Sequence, residues 1–186
     1  MSVHVRHLFS DAPTLGTNRL RLRCHQPGDL SAYVLMWSDP DVVRYTIGAP
    51  SPPQRTWMRL LGHRGHWSVL GFGYWAIEEK QSGRFIGELG FGHFKRDLHA
   101  SVDTVPELGW ALVPSAHGKG YATEALRAVV AWGDAHFESD RTVCIIDPGN
   151  DVSARVADKL GYLEYTRVPN AEMQTKILRE RFRSAD

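Results

Sequence analysis

The chain has 186 residues, 42% of them hydrophobic and 23% charged, with a formal net charge of +1. That length suits a single domain spanning residues 1–186 with a substantial core, and the composition is that of an ordinary globular chain rather than a disordered one. The near-neutral balance gives no electrostatic case for nucleic acid or an anionic membrane as a partner, and no run nears the roughly 18 apolar residues that a membrane span needs.

Met1-Ser2-Val3-His4-Val5-Arg6-His7 lacks the apolar core of a signal peptide, so the cytoplasm is the expected compartment. Residues 1–18 read as an irregular lead-in. Arg19-Leu20-Arg21-Leu22-Arg23-Cys24 then alternates with the period of a strand. Pro27-Gly28-Asp29 starts a helix with Asp29 as N-cap, and Asp39-Pro40 starts a second, short one. A third helix is expected from Ser51-Pro52 to about Gly65. Beyond Gly71-Phe72-Gly73 the period changes, and strands are expected at Tyr74–Glu78 and Arg84–Phe91 around a Gln81-Ser82-Gly83 turn. A strand from Pro106 to Val113 precedes a glycine loop and a helix from about Tyr121 to Phe137. Val143–Ile146 reads as a central strand, Asn150–Leu160 as a helix stopped by Gly161, and Leu163–Val168 with Met173–Leu178 as a last hairpin. The order gives an α/β fold with a mixed sheet. Cys24 and Cys144 make no disulfide framework and read as reduced, buried thiols.

The informative stretch is His117-Gly118-Lys119-Gly120-Tyr121-Ala122-Thr123, where a strand passes through two glycines straight into a helix. The first N–H groups of a helix have no internal partner and sit at the positive end of its dipole, so they suit a phosphate or pyrophosphate. Gly118 and Gly120 carry no side chain that would hold the anion off. The spelling is wrong for a P-loop, because Gly118-Lys119 is followed by Gly120 rather than Ser or Thr. It is also wrong for a dinucleotide fingerprint, because Thr123 stands where the third glycine or alanine belongs. The glycine pair alone would equally read as a plain helix start.

The run resembles the acetyl-CoA signature of the GNAT N-acetyltransferases, in which Gln or Arg is followed by two residues, Gly, one residue, then Gly or Ala. His117 takes the place of the usual Gln or Arg, a departure that backbone-dominated phosphate binding should tolerate. Gly-Lys-Gly-Tyr-Ala-Thr-Glu-Ala-Leu is similar to the branch that acetylates the N-termini of ribosomal proteins (RimJ/RimL-like), as are Arg19–Arg23 and Ile86-Gly87-Glu88-Leu89-Gly90. The resemblance covers about Thr17 to Leu178. It implies a mostly antiparallel central sheet flanked by helices, with splayed central strands at Glu107–Val113 and Val143–Ile146. It implies acetyl-CoA as co-substrate, with cofactor contacts at Leu112, Val113, His117, Gly118, Lys119, Gly120, Tyr121, Ala122, Thr123, Asn150 and Ser153. The pantetheine arm is expected to pair with strand backbone near Leu112 and Val113, and an N–H near Val113 to act as the oxyanion donor.

Alternation fits this independently. Leu108, Trp110 and Leu112 face one way, while Glu107, Gly109, Ala111 and Val113 leave room on the other. Glu107 is the candidate general base, directly or through water, with Glu88 on the neighbouring strand as its rival. Many family members carry a proton-donating tyrosine seven residues after the asparagine. Here that position is Ala157, so Ser153 is the remaining candidate to protonate the departing thiolate. Asn150 and Ser153 also read as an ordinary N-cap and its N3 partner.

The expected reaction is acetyl transfer to a primary amine, first a protein N-terminal α-amine. The alternatives are a small amine (polyamine, amino acid or aminoglycoside) or a non-catalytic acyl-CoA-binding module. No nucleic-acid or membrane partner is expected, and the chain reads as a monomer or homodimer. No metal is expected either: His63 and His66 sit three apart without a cysteine or evident third ligand. Trp57, Trp67 and Trp75 read as core ahead of the alternative of an acceptor-pocket lining, and Arg179–Arg183 as a solvated tail.

Overall fold

A computed structural model describes residues 3–96, 104–169 and 175–184. Its elements run β1 (Leu15–Gly16), β2 (Leu20–Arg23), α1 (Leu30–Ser38), α2 (Pro40–Val43), α3 (Pro53–Leu70), β3 (Tyr74–Glu79) and β4 (Phe85–Gly92). They continue with β5 (Glu107–Leu112), α4 (Tyr121–His136), β6 (Arg141–Ile146), α5 (Asp151–Lys159), β7 (Leu163–Pro169) and β8 (Thr175–Phe182). All strands join one sheet in the order β1-β2-β3-β4-β5-β6-β8-β7. Every pairing is antiparallel except β5 with β6. The sheet is therefore the mixed, mostly antiparallel one that the resemblance implies.

The two faces of the sheet are covered differently. Leu108 and Leu112 of β5 belong to a large core with Ala125, Leu126 and Val129 of α4. Ala111, on the opposite side of the pleat, packs with Tyr33, Met36 and Trp37 of α1 and Leu60 of α3. Trp67 and Trp75 are fully buried, as expected, and meet Trp132 edge-on at 5.5 and 5.3 Å. Cys144 is a buried free thiol, whereas Cys24 is only half-buried. No helix among the described residues is long and apolar enough to cross a membrane.

Three expected boundaries shift. The third helix does not stop near Gly65 but runs to Leu70 and ends on Gly71, which takes the left-handed conformation at φ 75°. Its buried positions, Thr56, Leu60, His63 and Trp67, follow helical spacing through both internal glycines, so core contact carries the helix past them. The supposed solvated tail is the second half of β8, paired with β6 from Arg141↔Phe182 to Ile146↔Ile177. Its charges point at partners: Arg179 donates to the Tyr162 carbonyl at 2.9 Å, and Arg181 forks onto Asp134 at 2.7 Å. The lead-in is not wholly irregular, since it holds β1 and a bridge from Val5 to Phe137. Asp29 spends its carboxylate on the Gln26 N–H and on Arg23 rather than capping α1. Met173 lies outside the described residues.

Candidate active site

The site begins where the parallel pair comes apart. β5 and β6 are in register only at Glu107↔Val143 and Leu108↔Cys144, after which they diverge. The splay expected between these strands is present. Pro106 accepts from the Val143 N–H on one side of β5, while the Val113 N–H donates to Ile86 at 3.0 Å on the other. Strand alternation therefore turns odd-numbered amides towards β4 and leaves those of Trp110 and Leu112 facing the opening. The Val113 N–H, expected near the oxyanion position, is already used within the sheet.

The glycine loop caps the same end of β5. Gly118 and Gly120 have φ values of 72° and 75°, a left-handed region that a residue with a Cβ rarely adopts. A Cβ at Gly118 would meet nothing within 4 Å, so the loop faces open space. Gly120 precedes α4, and no side chain caps that helix. The amides of Tyr121, Ala122 and Thr123 in its first turn are thus left without an internal partner. The loop is tied down from behind. Glu124 accepts from Thr17 Oγ1 at 2.6 Å and from Arg19 Nε at 2.6 Å, and Arg19 also donates to the Lys119 carbonyl at 2.9 Å. Tyr121 donates to Glu79 at 2.6 Å. His117 is exposed and bonds the Leu112 carbonyl through Nε2 at 2.9 Å, and the Lys119 side chain is free in solvent. The loop residues fit a pyrophosphate on both counts, an uncapped helix start and left-handed glycines beside open space.

On the other side of the splay lies a cleft of about 770 Å³ whose wall includes Glu88, Glu107, Asn150 and Ser153. The two candidate bases are therefore brought to one cavity with the candidate proton donor, although they differ sharply in surroundings. Glu107 is gripped by Arg96, with Nε to Oε2 at 2.8 Å and a second nitrogen to Oε1 at 3.0 Å. Glu88 is wholly buried and fully engaged. Tyr33 donates to it at 2.6 Å, His25 lies at 3.2 Å and Arg59 donates to its second oxygen at 3.2 Å. Burial by itself would raise the Glu88 carboxyl, but His63, Arg59 and the bond from His25 outweigh it and hold it well below the usual carboxylate range. His63 adds its charge to that balance only when protonated, and burial pushes its own pKa down to about 4. At neutral pH the lasting counter-charge to Glu88 is thus Arg59.

The small-residue face of β5 is less empty than alternation suggests. A Cβ at Gly109 would come within 2.0 Å of the Tyr74 hydroxyl, so glycine is there to admit Tyr74 rather than a ligand. On the far wall Asn150 caps α5, accepting from the Ser153 N–H at 3.1 Å. The capping role is real and uses the Ser153 backbone N–H, while Ser153 is also among the residues that line the cleft. Ala157 is fully buried, with no room for a hydroxylated ring.

Comparison with known proteins agrees with this geometry. Residues 19–163 match the family model described as an acetyltransferase (GNAT) domain. The chain belongs to the GNAT acetyltransferase family. It is 34% identical over 149 residues to the uncharacterized protein YkkB of Bacillus subtilis, covering 79% of this chain and 83% of that one. An acetyltransferase structure from Agrobacterium tumefaciens superposes with a TM-score of 0.77 at 27% identity, covering 96% of this chain and 99% of its own. The structure of RimL, a ribosomal α-N-protein acetyltransferase in complex with coenzyme A, gives a TM-score of 0.75 over 94% of this chain and 100% of its own. At 15% identity that likeness speaks for the fold.

Sequence reasoning missed the side chains gathered around Glu88. His25, Tyr33, Arg59 and His63 converge on Glu88 from the β2–α1 linker, α1 and α3. His25 and Tyr33 stand in a loop and a helix with no motif, so nothing local marks them. The usable signal was Glu88 itself, a carboxylate inside an apolar strand that cannot be buried without partners. Among these groups His63 is the least well satisfied: only 4% exposed, it has no partner at Nδ1, and its Nε2 lies 3.0 Å from Glu88 without the alignment of a hydrogen bond. An orphan of that kind costs roughly 1–3 kcal/mol.

Proposed function

We propose that the protein is an acetyl-CoA-dependent N-acetyltransferase acting on a primary amine, with the donor at the glycine loop and the amine in the cleft. The observation that carries this reading is the continuity of three features: the uncapped start of α4, the opening between β5 and β6, and a cleft holding two carboxylates at its far end. Acetyl-CoA supplies the acetyl thioester. Amides of Gly118 to Thr123 hold its pyrophosphate, with Lys119 as a mobile counter-charge. The open edge of β5 at Trp110 and Leu112 pairs with its arm, and the Leu112 N–H polarises the carbonyl as it becomes an oxyanion. Asn150 and Ser153 line the opposite wall, where the Ser153 hydroxyl returns a proton to the leaving thiolate.

Glu107 takes the proton from the acceptor ammonium through water, because Glu88 has its oxygens committed to Tyr33, His25 and Arg59. Arg96 is about half exposed and can release Glu107 to solvent when an acceptor enters. Glu88 acts as a fixed anion that positions these groups. A protein N-terminal α-amine is the first acceptor class, by analogy with what RimL is named for. A second reading, a small-molecule amine, is favoured by the volume of about 770 Å³, which lies in the range of small-ligand pockets. Thiol release from acetyl-CoA, assayed against N-terminal peptides and against small amines, tests both. Amine-dependent release with one class identifies the acceptor, and binding of acetyl-CoA without release from either leaves a non-catalytic module.

A further inference from the structure

The cluster beneath the acceptor cleft contains a donor set that the transfer reaction does not use. His25, His63 and Glu88 are all buried, and one ligand atom from each can be chosen so that all lie within 4.8 Å of one another. The sequence pairs His63 with His66, but the fold turns them apart, with ring centroids 6.5 Å apart and His66 lying edge-on to Phe94. Instead His63 stacks on His25 at 5.0 Å, and the Nε2 atoms of the two rings lie 3.0 and 3.2 Å from the same Glu88 oxygen. Ligand atoms about 2.0–2.1 Å from a tetrahedral ion stand about 3.3 Å apart, close to both spacings.

We infer that His25, His63 and Glu88 form a binding site for a divalent first-row transition ion of the zinc type at the base of the acceptor cleft. Two imidazoles and one carboxylate are a donor set suited to such ions, and hard cations such as magnesium prefer oxygen alone. The independent observation is His63. It is buried, its Nε2 lies 3.0 Å from Glu88 Oε2 without the alignment of a hydrogen bond, and its Nδ1 has no hydrogen-bond partner, so the ring is held by a charge contact and is open to a ligand. A support that orients a metal-binding carboxylate is also in place, with Tyr33 donating at 2.6 Å to one Glu88 oxygen, while Arg59, 3.2 Å from the other, sets a positive charge against the ion and offers an N–H that a glutamine in its place also carries. His63 and Glu88 both line the cleft, so an ion held there presents its open position to the acceptor. An electron-pair donor on the acceptor, such as a hydroxyl or carboxylate, would fill it. Arg59 opposes the ion by like charge and tunes its affinity.

The test uses the full chain without a histidine tag and reads the ion directly, so it stands or falls apart from the assignment of donor and acceptor. Co²⁺ titration followed by visible absorption, with Zn²⁺ competition and elemental analysis after dialysis, should give one ion per chain. His63→Gln and His25→Gln should each weaken Co²⁺ binding about 100-fold or more, more than the roughly 10–100-fold typical of losing an outer-shell partner. Because these buried positions could disturb folding, Arg59→Gln is the companion variant. It keeps all three donors, removes the like charge and should tighten Co²⁺ binding about tenfold. Absence of a stoichiometric ion in the wild-type protein overturns the inference. So does Co²⁺ binding that is unchanged in folded His63→Gln, or unaffected by Arg59→Gln.

Discussion

The proposed donor and acceptor halves of the site are built in opposite ways. Most of the donor half is one continuous segment, from Glu107 through Thr123, in which strand, glycine loop and helix start follow one another, with Asn150 and Ser153 added from α5. The acceptor half is assembled across the fold, with His25, Tyr33, Arg59 and His63 brought to Glu88 by the packing of α1 and α3 on β4. A site made of backbone geometry should tolerate variation in side chains such as His117. A site made of converging side chains depends on each one.

That difference sets what each perturbation should do. The largest effect is expected at Gly120. Gly120→Val should lower acetyl-CoA affinity about 100-fold or more by filling the phosphate cradle, as read by calorimetry on protein whose circular dichroism is unchanged. Valine also strains a φ of 75°, so Gly120→Asn, which tolerates that region, is the control for folding. Wild-type affinity in either folded variant would separate the loop from the cofactor.

Next comes proton removal. Glu107→Gln should lower kcat/KM roughly 10²-fold and abolish the acidic limb of its pH profile while leaving acetyl-CoA affinity intact. If the limb survives in Glu107→Gln and vanishes in Glu88→Gln, the base belongs to the assembled half of the site. Ser153→Ala should cost about 10² in kcat with little change in stability. A falling Tm with normal kcat would reduce Ser153 to its place beside the Asn150 cap.

Smaller effects test the frame. Arg179→Gln should destabilise by about 1–3 kcal/mol in urea unfolding, because it orphans the Tyr162 carbonyl and the Asp158 contact. Asn150→Ala should cost about 1 kcal/mol through loss of the Ser153 N–H acceptor. An unchanged midpoint in Arg179→Gln would mean that the end of β8 is as dispensable as a tail.

The same contrast explains what could be read from the sequence. Local period and turn chemistry mark β2 to β6, α4 and α5, and the motif order marks the splay that β5 and β6 show. Failures occur where tertiary contact overrides a local signal. The third helix reads as ending at about Gly65, yet Leu60, His63 and Trp67 hold α3 together past it. The charged run Arg179–Arg183 reads as solvated because its partners Asp134, Asp158 and Tyr162 are distant in sequence. Gly109 reads as space for a ligand, when only the position of Tyr74 reveals what fills that space.

The most direct measurement compares wild-type affinity for acetyl-CoA with that for S-acetyl-pantetheine, which carries the arm and thioester but no pyrophosphate. With the pyrophosphate on the amides of Gly118 to Thr123, the truncated donor should bind about 100-fold more weakly to the wild-type protein, and the difference should shrink to a few-fold in Gly120→Val. Equal affinity of the wild-type protein for the two donors would contradict the placement of the donor at the glycine loop.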